Sequence, residues 1–336
     1  MYKDIDYVYD ALDRFEQVTG MKFEVESSRK EYDAIVTIQD VQFVVVAKLE
    51  LRTSNRGIVL SDLKDKEENR KCPIIVVAKF IASDIANELK DRRINYIDGA
   101  GNAFIEQNQF HVFVSGQKSI KENKVKQARA FQEAGIKLLF NLLTKPDNLQ
   151  LSYRRLAEEV GISIGSVSNV INELEELNFI LKTNNKRILK NKTDLLQRWI
   201  VAYHDVLRPR LLKKRMRFAK IEQLNNWESL PIHETEDICL WGSEPAAAIM
   251  TGYLRPDQFT IYTNANWQSF VAEFGLVPDE DGDVEILQLF WHDEIKDREQ
   301  AIVPALLIYA DLISSGLDRN IETAKMIFEN DLQYIK

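Results

Sequence analysis

Residues 152–181, SYRRLAEEVGISIGSVSNVINELEELNFIL, decide how this chain folds. Ser152 is an N-cap ahead of Tyr153, Leu156 and Val160, and Gly161 closes that helix because a residue without Cβ takes left-handed angles at no steric cost. Ser163 caps a second helix, where Ile164, Val167, Ile171, Leu174 and Leu177 recur at the spacing of one buried face. Its other face carries Ser166, Asn169, Asn172 and Glu173, polar groups short or flexible enough for a backbone to approach a groove. Phe179-Ile180-Leu181, the Asn184-Asn185 pair and Arg187-Ile188-Leu189 then read as two strands around a turn that tolerates left-handed angles. Two helices at a tight turn, followed by a hairpin, are the plan of a winged helix-turn-helix.

Charge points the same way. Between Lys118 and Lys220 stand 22 Lys and Arg against 10 Asp and Glu, in a chain of 336 residues whose net charge is -8. A local excess of that size suits a phosphate backbone. Residues 1–117 carry 16 basic and 20 acidic groups, and residues 221–336 carry 6 and 22. The flanks therefore repel nucleic acid and restrict how the basic middle docks, or face a protein partner. Three domains are expected: 1–117, 118–220 and 221–336. The fold class is mixed α/β, with a sheet domain, a central winged helix-turn-helix and a C-terminal α/β domain.

In the first domain a helix is expected over residues 4–18, with Ile5, Val8, Leu12, Phe15 and Val18 on one side. Strands follow at Phe23–Val25, Tyr32–Ile38 and Gln42–Leu49, the last apolar enough to be covered on both faces. A polar segment, Ser54–Lys71, leads to a strand at Pro73–Ala78, a helix at Ile81–Asp91 and short strands to Val114. Asp33 in YDAIV and Lys48 in VVVAK resemble the restriction-endonuclease-like fold, where an Asp and a following Glu/Asp-x-Lys hold a metal ion beside the scissile phosphate. The position two before Lys48 is Val46, so the resemblance implies a degenerate nuclease domain kept as a scaffold. Glu50, on the same strand face as Lys48, makes Asp33, Lys48 and Glu50 the alternative catalytic set, with Glu16 as a helper. The IDGAGN stretch, Ile97–Asn102, lacks phosphate-loop spacing and reads as a tight connection between strands.

The middle domain is expected to open with a helix from Val125 to Leu143 under the helix pair. Past the wing, Leu195–Leu212 reads as an amphipathic helix bent at Pro209. The run RPRLLKKRMRFAK offers Lys213, Lys214 and Arg215 to phosphates, while Arg154, Arg155, Lys182, Lys186 and Arg187 lie closer to the expected duplex surface. In the third domain Ser243 is read as a helix cap with Pro245 in the first turn. His233 and His292 stand too far apart to suggest a ligand pair. Cys72 and Cys239, both in apolar settings, form neither a disulfide framework nor a metal site. Without a signal peptide or a run of some 18 apolar residues, the chain is expected to be soluble and cytoplasmic, with no membrane contact.

WGSEPAAAIMTGYLRPDQFTIYT, Trp241–Thr263, PALLIYADLISSGLDRNIETAKMIFENDL, Pro304–Leu332, and YIDGAGNAFIE, Tyr96–Glu106, resemble the AbiE-type transcriptional-regulator antitoxins of type IV toxin–antitoxin and abortive-infection systems. The resemblance implies a winged-helix autorepressor that opposes a nucleotidyltransferase-type toxin without a stable complex. In some relatives the wing precedes the rest of the chain, whereas here it is internal. The leading expectation is a regulator of double-stranded DNA, with Ser166, Asn169 and Asn172 on base edges, acting as a homodimer and needing no cofactor. A metal-dependent nuclease, or a module that grasps a basic protein through residues 221–336, are the alternatives.

Overall fold

The computed structural model describes residues 6–26, 34–67, 72–107, 110–118, 128–183, 186–230, 232, 238–292 and 301–336. The chain divides into two units, Met1–Val125 and Lys126–Lys336.

In the first unit α1, Asp6–Thr19, buries Val8, Ala11, Leu12 and Phe15, the spacing of one helix face. Strands β1, Phe23–Glu26, β2, Ala34–Ile38, and β3, Val41–Leu51, form an antiparallel meander. Helix α2, Arg56–Glu67, leads to β4, Ile74–Ile81, and α3, Ser83–Asp91, to β5, Asn95–Asp98. These two helices are the crossovers that the parallel pairs β3–β4 and β4–β5 require. Strands β6, Ala103–Gln107, and β7, Phe110–Val114, close the sheet as an antiparallel hairpin, so its order follows the chain from β1 to β7.

Each face of this sheet has its own core. Phe43, Val45, Ala47, Ile75 and Val77 pack with α1, whereas Val46, Val76 and Ala78 pack with Val59 and Leu63 of α2 and Ile85 and Leu89 of α3. That is why β3 reads as an uninterrupted apolar run. The polar segment expected at Ser54–Lys71 is instead largely helical. Asn55 accepts a hydrogen bond from Arg52 N and donates one to Glu50 O, each at 2.8 Å, which turns the chain into α2. Cys72, expected in an apolar setting, is exposed, and only Cys239 is buried.

The IDGAGN connection is closed on itself. Asp98 Oδ1 accepts from the backbone N–H of Ala100 and Asn102, and Asn102 in turn bonds both backbone groups of Gln117. A side chain at Gly99 would put Cβ 2.5 Å from the Lys79 carbonyl oxygen. Backbone approach is the reason for that glycine.

The second unit opens with a 3₁₀ turn, Arg129–Phe131, and α4, Glu133–Thr144. The expected helix start at Val125 lies outside the described residues; within them the helix begins at Glu133. Gln132 is extended, and the turn folds back so tightly that a Cβ on Gly135 would lie 2.4 Å from two carbonyl oxygens. Then come α5, Tyr153–Val160, α6, Ile164–Glu176, β8, Ile180–Lys182, and β9, Arg187–Leu189. Helix α7, Lys192–Ala202, continues through a π turn, Tyr203–Leu207, into α8, Arg208–Leu211.

The chain then extends into β10, Leu212–Phe218, followed by α9, Ile221–Asn225, β11, Cys239–Gly242, α10, Ser243–Thr251, β12, Phe259–Thr263, and α11, Ser269–Glu273. Strands β13, Leu276–Pro278, and β14, Val284–Gln288, precede α12, Ala305–Ser315, and α13, Asp318–Asp331. The sheet order is β11-β12-β14-β10-β13, with β12 and β14 parallel.

One expectation fails here: residue 220 is no domain boundary, because the basic run from Leu212 onward is β10 and is hydrogen-bonded inside the C-terminal sheet. Met216 and Phe218, both buried and two apart, have the period of a strand face. Ser243 is likewise not a cap but the first helical residue, at φ +46°. The segment's Glu244 is buried and accepts hydrogen bonds from Asp257 N, Gln258 N and Asn320 Nδ2, which fastens the loop after α10 to α13.

A buried polar cluster joins α7–α8 to this sheet. Trp199 donates from Nε1 to Ile136 O at 3.0 Å and stacks on Tyr203, whose hydroxyl pairs with that of Tyr262. Arg208 reaches Asp311 at 3.2 Å and Glu285 at 2.7 Å. His204 donates from Nε2 to Ala310 O at 3.1 Å. Burial, with the Arg208 charge adding to it, pushes the His204 imidazole down from 6.5 to about 3. Between those values the unfolded chain holds a proton that the folded chain refuses, so stability falls as pH is lowered through that window. In His204→Gln, denaturant midpoints measured from pH 7 down to 5 therefore drop less steeply than in the wild type.

Candidate nucleic-acid interface

The helix pair is set by its caps. Ser152 Oγ accepts from Arg155 N at 3.3 Å, Gly161 stands at φ +70°, and Ser163 Oγ accepts from Ser166 N at 3.0 Å. Leu156 and Val160 of α5, Val167, Val170, Ile171 and Leu174 of α6, and Leu138, Leu139 and Leu142 of α4 are all buried. Ile164, expected in that stripe, is corrected: it is 48% exposed, and Val170 takes its place in the core. Leu177 is half-buried.

The open side of α6 carries Gly165, Asn169, Asn172 and Glu176, all exposed, at steps of four, three and four residues. Ser166 is half-buried and hydrogen-bonded to Ser163 Oγ at 2.9 Å. Glu173, expected on the open face, is not there: its Oε2 accepts from Ala130 N at 2.6 Å and holds the 3₁₀ turn under the helices. Gly165 has no signal in the sequence that marks it as part of this face. A Cβ there would meet nothing closer than Ser163 Oγ at 3.9 Å, so the backbone of the first turn lies open to an approaching surface.

The wing pairs Leu181 with Ile188 and Lys182 with Arg187; its turn, Asn184-Asn185, lies outside the described residues, as do Asp33 and His233. Arg187 ties the wing to α5. Its Nη2 donates to Leu151 O at 2.6 Å, its guanidinium sits 5.2 Å over the Tyr153 ring, and its backbone N–H and C=O pair with Gln150. Lys182, Lys186, Arg154 and Arg155 are exposed, the last in ion pairs with Glu158 and Glu159. Farther along, β10 holds its cations within the sheet domain. Lys213 donates to Ala265 O at 2.6 Å, Lys214 lies 5.6 Å from the Trp267 ring centre, and Arg215 pairs with Glu285.

In the first unit, Lys48 and Glu50 share a strand face with Val46, and Glu50 is ion-paired with Arg52 at 2.8 Å. Among the described residues no three His, Cys, Asp or Glu side chains converge on a metal position.

Caps, core, open polar stripe and wing define the class: a winged helix-turn-helix DNA-binding protein, and residues 138–180 match the family model for winged helix-turn-helix DNA-binding. Residues 187–335 match the model described as "Transcriptional regulator, AbiEi antitoxin, Type IV TA system". Over these two stretches the chain is similar to DNA-binding antitoxin regulators. No curated protein and no solved structure matches the chain. Among the described residues no helix is long and apolar enough to cross a membrane.

Proposed function

We propose that the protein represses its own operon by placing α6 in the major groove of an upstream operator. Gly165, Asn169 and Asn172 meet base edges there, and Arg154, Arg155, Lys182 and Lys186 meet phosphates. The observation that carries this reading is the division of α6: one face is buried in core and the other is polar, open and flanked by exposed cations. One helix makes few base contacts, so two copies read an inverted repeat as a homodimer. The toxin is opposed through this promoter control rather than through a stable complex.

Protection of upstream DNA by the full chain tests the proposal. The wild type protects a discrete site, and two copies sediment with one inverted repeat. Arg154→Ala/Arg155→Ala lowers the slope of log affinity against log salt by about 1 to 2, since each phosphate contact contributes about 0.9 and Arg155 is partly held by its own helix. Equal protection of unrelated duplexes sinks the reading.

A further inference from the structure

Ile164 is the first residue of α6 and is 48% exposed, whereas Val167, three residues on, is fully buried. A single apolar side chain on a surface is ordinary. The place of this one is not. Steps of four residues set Ile164 in one row with half-buried Ser168 and exposed Asn172, along the border of the open polar face. Gly165 beside it has no side chain, and a Cβ there would meet nothing closer than 3.9 Å. Ser163 Oγ, accepting from Ser166 N at 3.0 Å, fixes the turn that presents both residues. An isoleucine therefore stands where the protein offers it no cover, at the end of the helix that reaches base edges when such a helix enters a major groove.

We propose that Ile164 reads a thymine in each half-site of the operator by packing on its C5 methyl group. In the major groove every base edge offers hydrogen-bonding atoms, and thymine alone adds an apolar group. Contact with that methyl removes apolar surface of both partners from water. Against cytosine or adenine the same side chain covers an amino group and gives it no acceptor, which costs the hydrogen bond that water supplied. Discrimination thus has an attractive and a repulsive part. The bare backbone at Gly165 lets the first turn come close enough for the contact. This assignment deepens the repressor reading and rests on it.

The full chain tests this on the operator delimited by protection of upstream DNA. Thymines of the protected half-sites are replaced one at a time by uracil, which removes the C5 methyl and leaves the base pair and the O4 acceptor in place. At one thymine of each half-site the wild type loses about fourfold in affinity, the worth of one buried methyl group. Ile164→Ala binds the thymine form about as weakly as the wild type binds the uracil form and no longer distinguishes the two, the non-additivity of groups in contact. Ile164→Val retains a branched apolar end and keeps most of the discrimination. Both variants keep the wild-type salt slope, because no phosphate contact is lost. Uracil that costs the wild type nothing at every position, or that costs Ile164→Ala as much as the wild type, overturns the contact. Equal loss by Ile164→Ala on operator and scrambled duplex, the mark of a displaced helix or a weakened dimer, overturns it as well. A discrete protected site with any of these negative results leaves the repressor reading standing, whereas absence of a protected site removes both.

Discussion

Arg208→Met lowers the free energy of unfolding by about 3–5 kcal/mol, the usual loss when one partner of a buried ion pair is removed. Asp311, whose side chain is 2% exposed, and Glu285, 13% exposed, then face each other without the guanidinium that separates their charges. Burial already raises the Asp311 carboxyl above its usual range against the pull of Arg208, so the variant drives it further towards the protonated form. Urea titration followed by tryptophan fluorescence reads the loss, because Trp199 stacks on Tyr203 beside the pair. The companion Arg208→Met/Asp311→Leu recovers a large part of it, since two apolar groups leave no unpaired charge. A single variant as stable as the wild type removes the assignment of this cluster as the joint between α7–α8 and the sheet.

Asn169→Ala/Asn172→Ala is the second large effect, and it falls on recognition rather than stability. A side-chain amide that bonds a base edge is worth about 1–3 kcal/mol of discrimination, so operator affinity drops by roughly 10- to 100-fold for each amide removed. Both residues are exposed, and their removal changes stability by no more than about 0.5 kcal/mol. Affinity for unrelated duplex and the salt slope stay as they were, because no phosphate partner is touched. Competition titrations with operator and scrambled DNA separate this result from that of Arg154→Ala/Arg155→Ala, which lowers both affinities. Equal loss on both duplexes means that the asparagines do not read bases.

The helix pair is legible because its determinants are local. Ser152, Gly161 and Ser163 act within four residues of themselves, and the structure shows each in the capping geometry that its side chain favours. The misassigned residues are those whose fate is decided at a distance. Glu173 has the polarity of a groove-facing residue, yet its acceptor role goes to Ala130, 43 positions earlier in the chain. Ile164 has the right type and spacing for the core but is the first residue of α6 and stays exposed.

By itself, then, the chain's order of residues determined the caps, the alternation of apolar faces, the wing and the concentration of positive charge around them, all of which depend on near neighbours and on composition. Tertiary structure alone decided which cations remain open. Lys213 and Arg215 look like phosphate clamps until β10 pairs with β13 and β14 and gives them a backbone carbonyl and a carboxylate as partners. It likewise decided that Arg208 is an internal tie and that the winged part and the C-terminal sheet are one unit. The physical reason is that a charge is neutralised by whatever lies within a few ångströms of it in space, and for these residues that neighbour is some 50 to 100 positions away along the chain.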